Sequence, residues 1–219
     1  MAGYVARTSN ANATWIIIGI NTLIGIYLIQ LKYSSPMDFM QMVSEFGAIP
    51  ILTINWIQPY RLITSMFLHS GFVHLALNMF ALFIFGPDIE MVLGKTRYLL
   101  LYFLSGIIAG LVHAYFIYFF FPYKRLLITP AIGASGAIYG VMAAFAVIFP
   151  FRRIMVFMGF PIIAPALLAI MLMAILQTIY AFFDPFSQVA YAAHVGGFIA
   201  GLLMTFMFKP SLKRIHHYI

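Results

Sequence analysis

Four side chains in this sequence have the types and spacing that acyl transfer requires. Ser135 lies in Gly133-Ala134-Ser135-Gly136 and His194 in Ala193-His194-Val195-Gly196-Gly197. A serine hydroxyl becomes a useful nucleophile when a neighbouring base takes its proton, and a histidine can take that proton and return it to a leaving amine. His74 and Asn78, in His-Leu-Ala-Leu-Asn, are four residues apart and share one face of a helix. Both can donate hydrogen bonds. With the Ser135 backbone N–H they form a candidate oxyanion hole, each donor contributing about 2.7 to 4 kcal/mol where it meets charge that develops in the transition state.

Each of these residues also has a plainer use. A serine among small residues caps or packs a helix, a histidine in a span can bond one neighbour, and a polar pair can hold helices together. No carboxylate is placed to orient His194: Asp88 and Glu90 fall at the far end of their helix, and Asp184 belongs to a turn. Tyr139, one turn below Ser135, is a candidate to pack on the imidazole and hold its ring. His69, His74 and His194 are candidates for a zinc site, but no His-Glu-x-x-His spacing accompanies them and no carboxylate is near. Neither a metal nor a cofactor is expected.

These residues must be positioned by elements that live in a bilayer. Of the 219 residues, 64% are hydrophobic and 8% charged, against roughly 25% charged in an ordinary soluble domain. The net charge of +7 sits in short segments between apolar runs, where orientation rules account for it and nucleic acid binding does not. There is no cysteine, which excludes disulfides and thiolate chemistry. Apolar segments at Trp15 to Leu31 and at about 73 to 90, 97 to 121, 135 to 149, 161 to 183 and 189 to 208 predict six membrane-spanning helices in one domain covering 1–219, an all-α integral membrane bundle. The first run is long for a signal-peptide core and reads as a retained helix.

Six spans put both termini on one side. Arg7, Lys95, Arg97, Arg152, Arg153, Lys209, Lys213 and Arg214 share that side, and Lys32, Arg61, Lys124 and Arg125 lie opposite, which predicts cytoplasmic termini. The second, fourth and sixth helices then all begin at the outer face, so His74, Ser135 and His194 lie at similar depth. The fourth segment is short for a bilayer, about 22 Å at 1.5 Å per residue against a core of roughly 30 Å, and so begins below the outer surface. The irregular stretch before it, with Pro130 and Gly133, survives at membrane depth only within protein or against water, and implies a water-filled cavity opening outward. The long first connection, 32 to 72, reads as a structured, partly embedded loop. Gly197 and Gly201 make a close-packing face able to meet Gly136 and Gly140. That packing would bring the imidazole to the hydroxyl.

Taken together, these motifs resemble those of the rhomboid family of intramembrane serine proteases, in order and over nearly the whole chain. The resemblance rests on Tyr60-Arg61 and Phe67-Leu68-His69 in the first connection, His74 with Asn78, Glu90, Gly94 and Arg97 at the next turn, Gly133 to Gly136, and Ala193, His194, Gly197 and Gly201. The family often has tryptophan where this chain has Tyr60. By resemblance, Ser135 is the nucleophile, His194 the base, and His74, Asn78 and the Ser135 amide the oxyanion stabilisers; Arg61, Glu90 and Arg97 are structural. It implies a minimal prokaryotic form acting on transmembrane protein substrates near the outer face. The fifth helix, with Phe182 and Phe183, and the turn after it are then candidates for a movable gate. A derlin-like relative that binds membrane proteins without cutting them is the alternative, although such relatives lack the serine and histidine kept here. A channel or transporter would need inverted repeats or mid-membrane charge, and neither is present.

Overall fold

The computed structural model describes residues 11–157 and 161–208. Arg7, Lys209, Lys213 and Arg214, part of the charge argument above, lie outside the described residues. Among the described residues, five helices are long and apolar enough to span a membrane: α1 (Asn12–Ser34), α5 (Phe72–Leu93), α6 (Lys95–Phe120), α9 (Ala166–Phe183) and α10 (Tyr191–Phe208). A sixth, α8 (Ser135–Ile148), is apolar but has only 14 residues, about 21 Å of rise. The chain is a multi-pass membrane protein with a helical bundle fold, and its outer surface carries large apolar residues such as Leu23, Leu77, Phe80, Leu203 and Met207, as contact with hydrocarbon requires.

α8 stands at the centre, flanked by α6 and α10, with α5 and α9 also against it. Small residues set the spacing. A Cβ on Gly197 would overlap the Gly136 carbonyl, and one on Gly201 would overlap the Gly140 backbone. Residues 136 and 140 therefore face 197 and 201 in the same order, so α8 and α10 run parallel. On the other side, Gly136 meets Ala109 and Gly140 meets Ser105, the reversed order of an antiparallel pair with α6. Thus the predicted glycine face is present, and it is shared by three helices rather than two.

The two ends of the bundle are tied differently. At the end holding the start of α1 and the end of α10, the Glu90 carboxylate accepts bonds from the backbone N–H groups of Ala13 (2.9 Å) and Thr14 (2.7 Å) and from the Thr14 hydroxyl (2.7 Å). Those amides begin α1 and have no intrahelical carbonyl. Arg152 pairs with Asp88, and Arg97 donates to the Phe208 carbonyl at 3.2 Å. At the other end the first connection forms α2 (Pro36–Phe46), α3 (Pro50–Ile54), α4 (Arg61–Thr64) and a 3-10 turn at Ser65–Phe67. Arg61, buried, gathers this segment by donating to the carbonyls of Ser44 (2.5 Å) and Gly47 (3.0 Å) and to the Gln58 side chain (2.6 Å).

One expectation needs correction. The fifth span does not start at 161: residues Pro161–Pro165 form β2, which pairs antiparallel with β1 (Arg153–Phe157), and the helix begins at Ala166. The local reason is the proline pair. Pro161 and Pro165 lack the N–H that a helix interior or a ladder needs, and here they occupy the two ends of the ladder, opposite Phe157 and Arg153. Between them Ile162 and Ile163 favour extended backbone. The bundle is otherwise helical, with α7 (Lys124–Ile128) a short turn before the fourth span.

Candidate functional site

Ser135 is the first residue of α8, reached through Gly133, whose φ of +122° favours glycine. A side chain there would also meet His74 Nε2 at 2.7 Å. Gly133 is thus required twice, by backbone conformation and by space. The irregular stretch before the helix is held by protein: Ala131 N–H donates to Ala48 (2.8 Å), Ala48 N–H to Ala131 (3.0 Å), and Gly133 N–H to Ser65 (2.9 Å). The first connection therefore supplies the backbone partners that unwound chain at membrane depth demands. The N–H groups of Ser135, Gly136 and Ala137 precede the first intrahelical bond of α8, Ile138 to Ala134, and so point outward at the positive end of the helix dipole.

His194 lies in the first turn of α10, nearer the helix start than the apolar pattern places it. Its Nε2 is 2.7 Å from Ser135 Oγ. Tyr139 stacks on the imidazole, with ring centroids 4.5 Å apart and planes 13° from parallel, and Tyr191 meets it edge-on at 6.5 Å. His194 is buried, with 8% of the residue exposed. Tyr139 and the Gly136–Gly197 contact thus lie beside a hydrogen-bonded serine–histidine pair, and Gly140 and Gly201 continue the seam below it.

The other nitrogen of the imidazole, Nδ1, meets a residue that the sequence analysis does not single out. Gln177, on α9, places its Oε1 2.7 Å from His194 Nδ1. It is not a carboxylate, and its signal in the sequence is a lone amide in the apolar run Ile175-Leu176-Gln177-Thr178-Ile179, since polar groups in a span need a partner.

His74 stands at the start of α5 with Nδ1 3.1 Å from Ser70 Oγ and Nε2 toward Gly133. If the serine hydroxyl donates to Nδ1, Nε2 carries the proton and faces the site. Asn78 is buried one turn below, its amide nitrogen donating to the His74 carbonyl at 3.0 Å. His69 is fully buried and meets the His74 ring edge-on at 5.0 Å. It lies outside the spans, and burial, with a smaller push from His74, holds it down at about 4, so it is neutral above that pH and serves packing. Beside the pair, toward the mouth of the bundle, a cavity of about 90 Å³ is lined by His113, Thr129 to Ala131, Asp184, Gln188, Tyr191 and Ala192 among others.

A serine and a histidine hydrogen-bonded near one end of an apolar helical bundle define a membrane-embedded serine–histidine site. The Rhomboid domain family matches residues 56–211, and the chain belongs to the rhomboid family. Over 210 residues it is 28% identical to Rhomboid protein 1, mitochondrial, of Saccharomyces cerevisiae, an alignment covering 95% of this chain and 56% of that protein. It is 38% identical over 131 residues to Rhomboid protease AarA of Providencia stuartii, covering 55% of this chain and 46% of that protein. It is also 29% identical over 157 residues to Inactive rhomboid protein 1 of Rattus norvegicus, covering 71% of this chain and 16% of that protein. The chain spans about half the length of the yeast and Providencia proteins.

Proposed function

We propose that this chain is an intramembrane serine protease that hydrolyses peptide bonds of transmembrane protein substrates through Ser135 and His194. The observation that carries the reading is the 2.7 Å contact between Ser135 Oγ and His194 Nε2. In the proposed reaction the hydroxyl attacks the substrate carbonyl while Nε2 takes its proton. The oxyanion that forms is met by the Ser135 N–H, His74 and Asn78, in the position that the positive end of α8 favours. The imidazolium then protonates the leaving amine, and water, deprotonated by the same nitrogen, releases the acyl group from Ser135. A spanning helix hides its carbonyls in its own hydrogen bonds, so the substrate has to unwind first. The depth of Ser135, at the start of a short helix, supports cleavage near the membrane face opposite the chain termini. The charge balance supports cytoplasmic termini and hence an outer-face cut, and the resemblance to the minimal form of the family supports a prokaryotic cell membrane.

A second reading is a binding protein without hydrolysis, since inactive relatives share the family. Retention of Ser135, His194, His74 and Asn78 favours the protease. Purified protein in detergent should cleave a single-span substrate, and Ser135→Ala and His194→Ala should each lose nearly all activity, on the order of 10⁴-fold or more by analogy with other serine hydrolases. A fluorophosphonate probe should label Ser135 in the parent. Absence of both cleavage and labelling would place the binding reading first; equal cleavage by all three proteins would remove the site assignment.

A further inference from the structure

We propose that Gln177 is the positioning residue of this site, a neutral side chain on α9 that sets which nitrogen of His194 is free to act as base. The inference rests on the protease reading for its catalytic consequence, but its structural content concerns the ring alone.

The valences of the two groups fix the place of the proton. An amide oxygen accepts and cannot donate, so the 2.7 Å contact of Gln177 Oε1 with Nδ1 requires a proton on Nδ1. In the neutral imidazole Nε2 is then bare. It is the nitrogen that faces Ser135 Oγ at 2.7 Å, and in this tautomer it accepts the hydroxyl proton. The opposite tautomer would point an N–H at the serine and leave no base. Serine–histidine–aspartate sites solve the same problem with a buried carboxylate. Within a bilayer a carboxylate costs several kilocalories per mole more to bury than an amide, and no Asp or Glu lies in α9. Glutamine supplies the acceptor without the charge.

Its place in the fold adds a consequence. Tyr139 holds the imidazole from α8 by stacking, and the glycine seam fixes α10 to α8, so ring plane and position are set without α9. What α9 contributes is the acceptor at Nδ1. Of its 18 residues only five are buried, the fewest relative to length of the helices around the site, so the group that selects the tautomer sits on the most weakly held of them. Displacement of α9 would withdraw the acceptor from the base.

The test combines a readout of the ring with a readout of rate. Full-length protein with labelled histidine, in detergent micelles, gives the His194 tautomer by nitrogen–carbon correlation NMR, assigned by loss of the signal in His194→Ala. The parent should show the proton on Nδ1. Gln177→Met, close in shape but without an acceptor, should populate the Nε2–H form and lower kcat about 10-fold, the scale of one lost hydrogen bond, with KM unchanged because Gln177 touches the base and not the substrate. Gln177→Glu should restore the Nδ1–H form and bring kcat to within about 3-fold of the parent. A parent with its proton on Nε2, an unchanged tautomer and rate in Gln177→Met, or equal losses in the Met and Glu variants would each overturn the proposal. Inactivity of the parent with the tautomer pattern as expected would instead sink the protease reading and leave the assignment of Gln177 standing.

Discussion

α8 and α9 are both apolar helices beside the same histidine, yet they are held in opposite ways. Twelve of the 14 residues of α8 are buried, against five of the 18 in α9. α8 is enclosed by α6, α10, α5 and α9, and backbone meets backbone along its glycine face. α9 packs on α10, α8 and the hairpin and turns Leu168, Met171, Leu172, Ile175 and Ile179 outward. Ser135 and His194 therefore belong to the rigid part of the molecule, while Gln177 belongs to the looser part. In the proposed protease, alignment of the serine–histidine pair and sideways admission of a substrate helix would make conflicting demands, and this division would place each on a different helix.

The largest effect should come from breaking the rigid half. Gly197→Leu would drive a side chain into the Gly136 carbonyl, and backbone cannot yield as a flexible side chain can. About 3 kcal/mol or more of stability should be lost, seen as a lower thermal midpoint in detergent, together with all cleavage. Retention of both would mean that the α8–α10 seam does not set the site. Next in size, His74→Ala should lower kcat by about 10²- to 10³-fold while leaving the fold intact, as for a lost oxyanion donor. A change confined to KM would assign His74 to substrate binding instead.

How much of this division was legible in the sequence follows from the kind of signal each part leaves. Gly136, Gly140, Gly197 and Gly201 recur at helical spacing, and Ser135, His74 and His194 stand out as polar groups near the ends of apolar runs, so the seam and the pair could be read directly. Tyr139 followed from being one turn below Ser135. Five spans were legible because hydrocarbon thickness sets their length, and the shorter fourth because its run is uniformly apolar. The hairpin at 153–165 was not, because its alternation is as apolar as a helix and only Pro161 and Pro165 speak against one. Gln177 was missed because an uncharged amide raises no alarm among ionisable residues, and its partner is 17 positions away. Nor does the sequence indicate that Ala48 and Ser65, in the first connection, bond the backbone just before Ser135; such pairings depend on tertiary placement and leave no periodic trace.

Glu90 tests whether rigidity extends to the end of the bundle away from the site. Its two oxygens serve three donors at the start of α1. Glu90→Gln keeps the shape but replaces one acceptor oxygen by a donor, and should cost about 1.5 to 3 kcal/mol, the range for hydrogen bonds involving a charged group. The thermal midpoint should fall while kcat at low temperature stays near that of the parent. A fall in kcat without a change in stability would show instead that this end is coupled to the pair.

The smallest effect should come from loosening what is already loose. Phe182, near the mouth end of α9, meets Phe116 and Phe120 of α6 edge-on, at centroid distances of 4.9 and 5.4 Å. Each such pair contributes about 0.5 to 1.5 kcal/mol, a small part of what holds the bundle but a direct tie between this end of α9 and α6. Phe182→Ala should therefore change the thermal midpoint little and raise the cleavage rate of a membrane substrate a few-fold, while cleavage of a short soluble peptide, which needs no lateral opening, stays constant. A crosslink between α9 and α5 should do the reverse, stopping the membrane substrate and sparing the peptide. If Phe182→Ala slows both substrates equally, its rings support the site instead of restraining a gate, and α9 has to be counted with the rigid half.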